Sequence, residues 1–235
     1  MTVAAVLVAA GTGSRLGHQL PKAFVPLRGV PLVVHAAQSL LACDAVSALV
    51  VVVPADRAAD ARDALAGLPC PVTVVAGGAA RQASVAAGLA ALPDDADVVL
   101  VHDAARPFVP ADLVDRVVAA VRAGHPAVVP ALPVTDTVKR VGPGDGTGEP
   151  VLETVPRGAL RAVQTPQGFA RDVLVAAHVA AAARAHDEGT AASDDAGLVE
   201  ELGAPVWVVA GDERAAKITT AADLALAARR LEDAS

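Results

Sequence analysis

Six short apolar runs recur along the chain without the polar alternation of a strand that keeps one wet face: 3–8, 47–53, 72–76, 97–101, 127–132 and 205–210. Strands covered on both faces read this way. Between them, Ala- and Leu-rich stretches place apolar residues at helical spacing and predict helices over 31–42, 56–66, 80–92, 110–123, 170–186 and 220–232. Thr220 is a natural N-cap for the last of these. Strand–helix alternation argues for an α/β fold, a mostly parallel sheet flanked by helices. Such sheets bind ligands beyond the carboxyl ends of their strands. The loops after residues 8, 76 and 101 therefore share one edge.

The stretch from Pro133 to Pro156, PVTDTVKRVGPGDGTGEPVLETVP, departs from this rhythm. Two β-prone arms, 136–141 and 151–155, flank a Gly/Pro/Asp-rich tip at 142–150, the pattern of a long hairpin. With little of its own to pack against, it is expected to project as a β-arm and meet a second subunit. No repeat or linker divides the chain, so residues 1–235 are read as one domain with the arm at about 133–157.

Hydrophobic residues make up 54% of the 235, enough for a well-buried core, while aromatics are only 2%, so Val, Leu and Ala must fill it. No apolar run reaches the roughly 18–20 residues that span a bilayer. The first apolar run lacks a basic flank and leads straight into a glycine turn, unlike a secretion signal. A cytoplasmic location without membrane partners is expected. Cys43 and Cys70 lack CxxC spacing and read as two buried thiols rather than as a metal site or a bridge.

The net charge of −7 disfavours nucleic acid as a partner. It also requires that any phosphate-binding charge be gathered locally. Lys22, Lys139 and Lys217 are the only lysines in a chain that otherwise uses Arg, so each merits attention.

The first loop, AAGTGSRLG followed by PKAF, excludes two common nucleotide motifs. A dinucleotide fingerprint needs a third glycine where Leu16 stands, and an acidic residue about 20 positions on. No Asp or Glu occurs from His18 through Cys43. The P-loop signature is absent as well. Instead, Ala10, Gly11, Thr12 and Gly13 allow backbone N–H groups to approach phosphate oxygens closely. Arg15 adds a planar multi-donor fork and Lys22, stiffened by Pro21, a compact charge, a set suited to a triphosphate.

AAGTGSRLG…PKAF, GGAARQASV, VLVHDAARPFV, PVTDTVKR, TPQGF and AAKITTAADLALA, in this order, resemble the 2-C-methyl-D-erythritol 4-phosphate cytidylyltransferase family across about residues 3–230. The resemblance implies a Rossmann-like nucleotidyltransferase fold, a homodimer formed through the β-arm, and a divalent cation such as Mg²⁺. It implies transfer of a cytidylyl group from CTP to 2-C-methyl-D-erythritol 4-phosphate, in isoprenoid precursor biosynthesis.

By resemblance, Arg15, Lys22 and Lys217 are the catalytic cations on the triphosphate. Gly77, Gly78, Arg81 and Ser84 hold the cytidine, and Asp103 orients the ribose or the metal. Arg106 is read as a contact to the acceptor phosphate, with anchoring of its loop by pairing with Asp103 as the alternative. Thr137 and Arg157 of the arm are implied to reach a neighbouring subunit's acceptor, with Thr165 and Ser193 as further acceptor contacts. Ser193, Asp194 and Asp195 also read as a helix N-cap with acids matched to the helix dipole. His102 reads as structural rather than as a base, Phe24 and Phe169 as core, and Lys139 carries no firm role. Ala23 stands where many members of the family have Gln.

Three rivals remain at this level. A related cytidylyltransferase would act on another polyol phosphate such as ribitol 5-phosphate, and turnover of each acceptor separates the two. A non-catalytic nucleotide-sensing paralogue is expected to lack one of the three cations, all of which are present. An NAD-binding dehydrogenase is disfavoured by Leu16 and the missing acid.

Overall fold

The computed structural model describes residues 2–11, 20–187, 192 and 194–233. One eight-stranded sheet organises the fold: β1 (Thr2–Val8), β4 (Val46–Val53), β5 (Val72–Ala76), β6 (Ala96–Asp103), β7 (Ala127–Pro133), β10 (Arg161–Val163), β11 (Gln167–Ala170) and β12 (Val206–Ala210). Outside it, two short strands, β2 (Pro26–Leu27) and β3 (Val30–Pro31), pair on their own, and α2 (Ala58–Leu65) links β4 to β5. The spatial order runs β5-β4-β1-β6-β11-β7-β12. β11 is antiparallel to both β6 and β7, and β10 continues that seam antiparallel to the carboxyl half of β7. The other pairings, β1 with β4 and β6, β4 with β5 and β7 with β12, are parallel.

The six expected strands are all present. The uniformly apolar strand pattern has a direct cause, visible in β1. Val3, Ala5 and Leu7 join a core on one face of the sheet, with α1 (Leu32–Leu41) and α4 (Ala111–Arg122). Ala4 and Val6 join a second core on the other face, with α3 (Arg81–Ala90) and α5 (Arg171–Ala180). Alternate side chains point to opposite faces and both faces are dry. α3 approaches β1 closely because Gly88 lies on its inner face, where an added Cβ would come within 2.5 Å of Val6 Cγ1. Phe24 and Phe169 are buried, as expected. Cys43 is buried, but Cys70 is only half-buried, which corrects that part of the thiol reading; both are free. A third, smaller core joins Leu27 and Leu32 to Ile218 and the inner face of α7 (Ala221–Asp233).

Differences from the sequence reading are local. The helix expected over 170–186 ends at Ala180, and Ala182–Arg184 form a separate 3-10 turn. β10 and β11 were not foreseen. Asp194 caps α6 (Asp195–Glu201), its carboxylate accepting from the Gly197 N–H at 3.0 Å. Thr220 accepts from the Asp223 N–H at 3.2 Å at the start of α7, as expected.

The arm is β8 (Val138–Val141) paired antiparallel with β9 (Val151–Val155), a two-stranded sheet separate from the main one. It leaves from the end of β7 and returns just before β10. Val141, Val151 and Leu152 expose apolar side chains along it.

Candidate active site

The carboxyl ends of β1, β5 and β6 bring two glycine-bearing loops and Asp103 together. Ala10 and Gly11 follow β1; Gly77 and Gly78 follow β5 and lead into α3. Glycine is required at 77, because a Cβ there would lie 2.5 Å from Ala10 Cβ and 2.8 Å from Ser84 Oγ. The Ser84 hydroxyl, buried on α3, donates to the Ala80 carbonyl at 3.0 Å and accepts from the Gly78 N–H at 3.2 Å. It thereby fixes the shape of the Gly77–Gly78 turn.

Asp103, the last residue of β6, is shared by two cations. Lys217 Nζ lies 2.8 Å from its Oδ2, and Arg81 Nε lies 3.5 Å from its Oδ1. Burial alone would raise the Asp103 carboxyl, but Arg81 and then Lys217 outweigh it and hold the group well below the usual carboxylate range. Arg81 is itself pulled two ways. Burial disfavours its charge, and Asp195 followed by Asp103 restores it, leaving the guanidinium firmly protonated. Asp195, the first residue of α6, binds Arg81 Nη1 through Oδ2 at 2.7 Å and His178 Nε2 through Oδ1 at 2.9 Å.

Arg106 anchors loops in this structure. Its guanidinium donates to the Ala215 carbonyl at 2.7 Å and to the Val163 carbonyl at 3.3 Å, so it ties together the two chain segments that carry them. Thr165 also faces inward: its hydroxyl lies 2.9 Å from His102 Nδ1 and accepts from the Asp103 N–H at 3.2 Å. It braces the strand end that carries Asp103. His102 Nε2 lies 3.0 Å from the Arg106 carbonyl, and burial, the largest effect, depresses the imidazole to about 4. A fully buried, neutral ring with both nitrogens engaged is structural, as the sequence suggested.

Lys22 opens a 3-10 turn, Lys22–Phe24, that is seated by buried Ala23 and Phe24 in the first core. Thr137 and Arg157 stand at the root of the arm, Thr137 just before β8, with the Arg157 guanidinium on the Thr135 carbonyl. Lys139 Nζ donates across the arm to Thr154 Oγ1 at 2.6 Å. Thr12, Gly13, Arg15 and Ser193 lie outside the described residues. Sequence reasoning missed Asp195 as the partner of Arg81, together with His178 behind it and two buried glutamines. Gln82 accepts from the Ala192 N–H at 3.2 Å and donates to the Ala181 carbonyl at 3.0 Å. Gln167 donates to Asp194 at 2.8 Å and accepts from the Ala196 N–H at 3.2 Å.

A mostly parallel sheet whose carboxyl edge gathers glycine turns and a shared carboxylate between two cations defines a Rossmann-like α/β domain built to handle a nucleotide. The comparisons with known proteins narrow that class. The 2-C-methyl-D-erythritol 4-phosphate cytidylyltransferase family matches residues 3–233. The enzyme of that name from Streptomyces avermitilis is 52% identical over 242 aligned residues, covering 98% of this chain and 94% of the relative. The one from Nocardia farcinica is also 52% identical, over 98% of this chain and 94% of its own. Among solved structures, the Thermus thermophilus enzyme is 38% identical with a TM-score of 0.76, covering 99% of this chain and 100% of that one. A 4-diphosphocytidyl-2C-methyl-D-erythritol synthase from Anaerococcus prevotii superposes with a TM-score of 0.82 at 27% identity, over 98% of each chain. The chain belongs to the 2-C-methyl-D-erythritol 4-phosphate cytidylyltransferase family and is a nucleotidyltransferase.

Proposed function

We propose that the chain transfers the cytidylyl group of CTP to 2-C-methyl-D-erythritol 4-phosphate, releasing pyrophosphate and supplying 4-CDP-2-C-methyl-D-erythritol for isoprenoid precursor synthesis. An oxygen of the acceptor phosphate forms a bond to the α-phosphorus as the bond to the bridging oxygen of pyrophosphate breaks. Two polyanions must meet, so catalysis rests on positioning and charge stabilisation rather than on a covalent intermediate. The observation that carries this reading is Asp103 held ionised between Arg81 and Lys217 at the nucleotide edge, in a chain of this family.

In this reading Ala10, Gly11, Thr12 and Gly13 line the triphosphate, and Arg15, Lys22 and Lys217 neutralise it. Gly77, Gly78, Arg81 and Ser84 form the nucleoside side. Lys217 is paired with Asp103 yet 43% exposed along its side chain, which suits a cation that moves onto phosphate when CTP arrives. Ser193 and the arm residues Thr137 and Arg157 serve the acceptor, the last two across a homodimer interface. The exposed Val141, Val151 and Leu152 give the arm an apolar surface suited to such a partner.

Among the described residues, no three His, Cys, Asp or Glu side chains gather as a metal cage. Mg²⁺ needs only one or two carboxylates when phosphates supply the remaining oxygens. Asp103, kept ionised at the mouth of β6, fits that requirement. Bound there with the triphosphate, the ion would neutralise phosphate charge. A cytoplasmic location is part of the same reading: the two cysteines are free, and no described helix is long and apolar enough to cross a membrane.

Pyrophosphate release from CTP with 2-C-methyl-D-erythritol 4-phosphate, beside ribitol 5-phosphate at matched concentration, tests the assignment. Turnover confined to the methylerythritol acceptor is expected. Equal or greater use of ribitol 5-phosphate would transfer the chain to the other acceptor class.

A further inference from the structure

Arg81 and Gln82, consecutive at the start of α3, both reach the segment that leads into α6, more than a hundred residues away in sequence. The contacts differ in kind. Gln82 hydrogen-bonds backbone, at Ala192 and Ala181. Arg81 meets a buried charge. Asp195 is 1% exposed, and a carboxylate so placed is tolerated only when its oxygens are satisfied. Arg81 takes one oxygen at 2.7 Å and His178 the other at 2.9 Å.

These contacts decide where Arg81 points. Its approach to Asp103, 3.5 Å from Nε, is too long to orient a side chain with four rotatable bonds. The 2.7 Å charge-assisted bond to Asp195 does that work. His178, in turn, is buried on α5, and its Nδ1 has no hydrogen-bond partner. A ring kept there with one unsatisfied nitrogen is explained by what the other holds. The result is a row of alternating partners running from the interior to the nucleotide edge: His178, Asp195, Arg81, Asp103, Lys217. The outer cation, Lys217, is half-exposed and can swing; the inner one, Arg81, is gripped from behind.

We propose that Asp195 and His178 are positioning residues for cytidylyl transfer: Asp195 fixes the Arg81 guanidinium against Asp103, and His178 fixes Asp195. The pair keeps the carboxylate at the end of β6 oriented while Lys217 moves from it to phosphate. This rests on the functional reading given above.

Asp195→Asn keeps the shape and one acceptor but removes the charge that orients Arg81. By analogy with partners that stand behind metal ligands, kcat should fall about 10- to 100-fold, with the acceptor KM little changed and the circular dichroism spectrum native. His178→Gln, whose amide nitrogen can stand in for Nε2, should retain most of the rate, whereas His178→Leu should lose as much as Asp195→Asn. Adding Asp195→Asn to Arg81→Lys should cost little further rate, since both act through one guanidinium. A second readout is independent of turnover. The Arg81 Nε–H resonance, assigned by its loss in Arg81→Lys, should be protected from exchange in the wild-type protein and lose that protection in Asp195→Asn. Wild-type kcat in folded Asp195→Asn, equal losses in His178→Gln and His178→Leu, or an unchanged Arg81 signal would each overturn the proposal. Wild-type protein inactive with CTP and the methylerythritol acceptor would instead refute the functional reading, and the Arg81 resonance would still judge the positioning pair.

Discussion

Gly77→Ala isolates how the two nucleotide-side loops are fitted to each other. The new Cβ would stand 2.5 Å from Ala10 Cβ, 2.8 Å from Ser84 Oγ and 3.3 Å from Val52 Cγ1. Ala10 Cβ has no rotamer through which to yield, so the loop after β1 must shift. Ser84 can turn away only by giving up its bond to the Ala80 carbonyl or to the Gly78 N–H. Overpacking of a close-fitted site costs about 1–3 kcal/mol, and two contacts under 3 Å place this change near the upper end, about 3 kcal/mol. For a chain of this size that lowers Tm by about 6–12 °C. Since Ala10 and the Gly77–Gly78 turn both face CTP in the proposed reading, KM for CTP should rise about tenfold, equivalent to about 1.4 kcal/mol. Gly11→Ala is the matched control. No atom lies within 4 Å of its built Cβ, so stability should hold to within about 0.5 kcal/mol. Thermal unfolding by circular dichroism and steady-state pyrophosphate release measure both quantities. A Gly77→Ala protein with wild-type Tm and wild-type KM would refute the claim that glycine is needed for close approach.

Other outcomes follow from the same geometry. Lys217→Ala should lower pyrophosphate release about 10²–10³-fold while Tm changes little, because the loss is of a cation that meets the phosphate from a half-exposed position. Asp223 accepts from the Thr219 and Thr220 N–H groups at 2.8 Å each, and Asp223→Ala should cost about 1 kcal/mol in urea unfolding at pH 7. The Thr219 hydroxyl, then the backbone N–H groups, depress this carboxyl in the folded protein, so its contribution is present above the unfolded value of about 3.9 and lost as pH falls below it. A wild-type-to-variant gap that stays constant through acidification would contradict that sign. Burial, then the hydrogen bond to Asp115, pushes the Cys43 thiol up to about 11, so native protein at pH 8 should react with a disulfide reagent there about two orders of magnitude more slowly than unfolded protein. Finally, Arg157→Ala and Lys22→Ala subunits, each inactive alone, should regain activity when mixed. No recovery despite verified subunit exchange would place Arg157 in its own chain's pocket.

The sheet was legible because its strands are dry on both faces, which leaves unbroken runs of Val, Leu and Ala. β10 and β11 were not legible for the converse reason. They are three and four residues long, and β10 is exposed throughout, so neither composition nor periodicity marks them. The Ala-rich stretch after residue 170 carried no stop signal, and its helix was drawn too long. In the site, Asp103 could be read from its place at a strand end, while Lys217 stood out as one of three lysines and took its role from the family resemblance. Asp194 and Asp195 are legible as a cap and a first-turn acid, and both places are found; what the sequence does not show is that Asp195 also turns inward to Arg81, a contact 114 positions away that only tertiary packing creates. Gln82, Gln167 and His178 share that history, since a buried polar residue on an apolar helix or strand looks unremarkable until its partner is known.

The way the arm is attached has a consequence for engineering. Pro133 and Arg161 are paired neighbours on β7 and β10, so the excursion between them departs from and rejoins the sheet at one seam. Replacing the limb by a tight turn of about two to five residues would close those strands as an ordinary hairpin. Such a trimmed chain should keep its nucleotide floor intact, so the proposed association between copies would be a detachable property, open to redesign without retuning the fold.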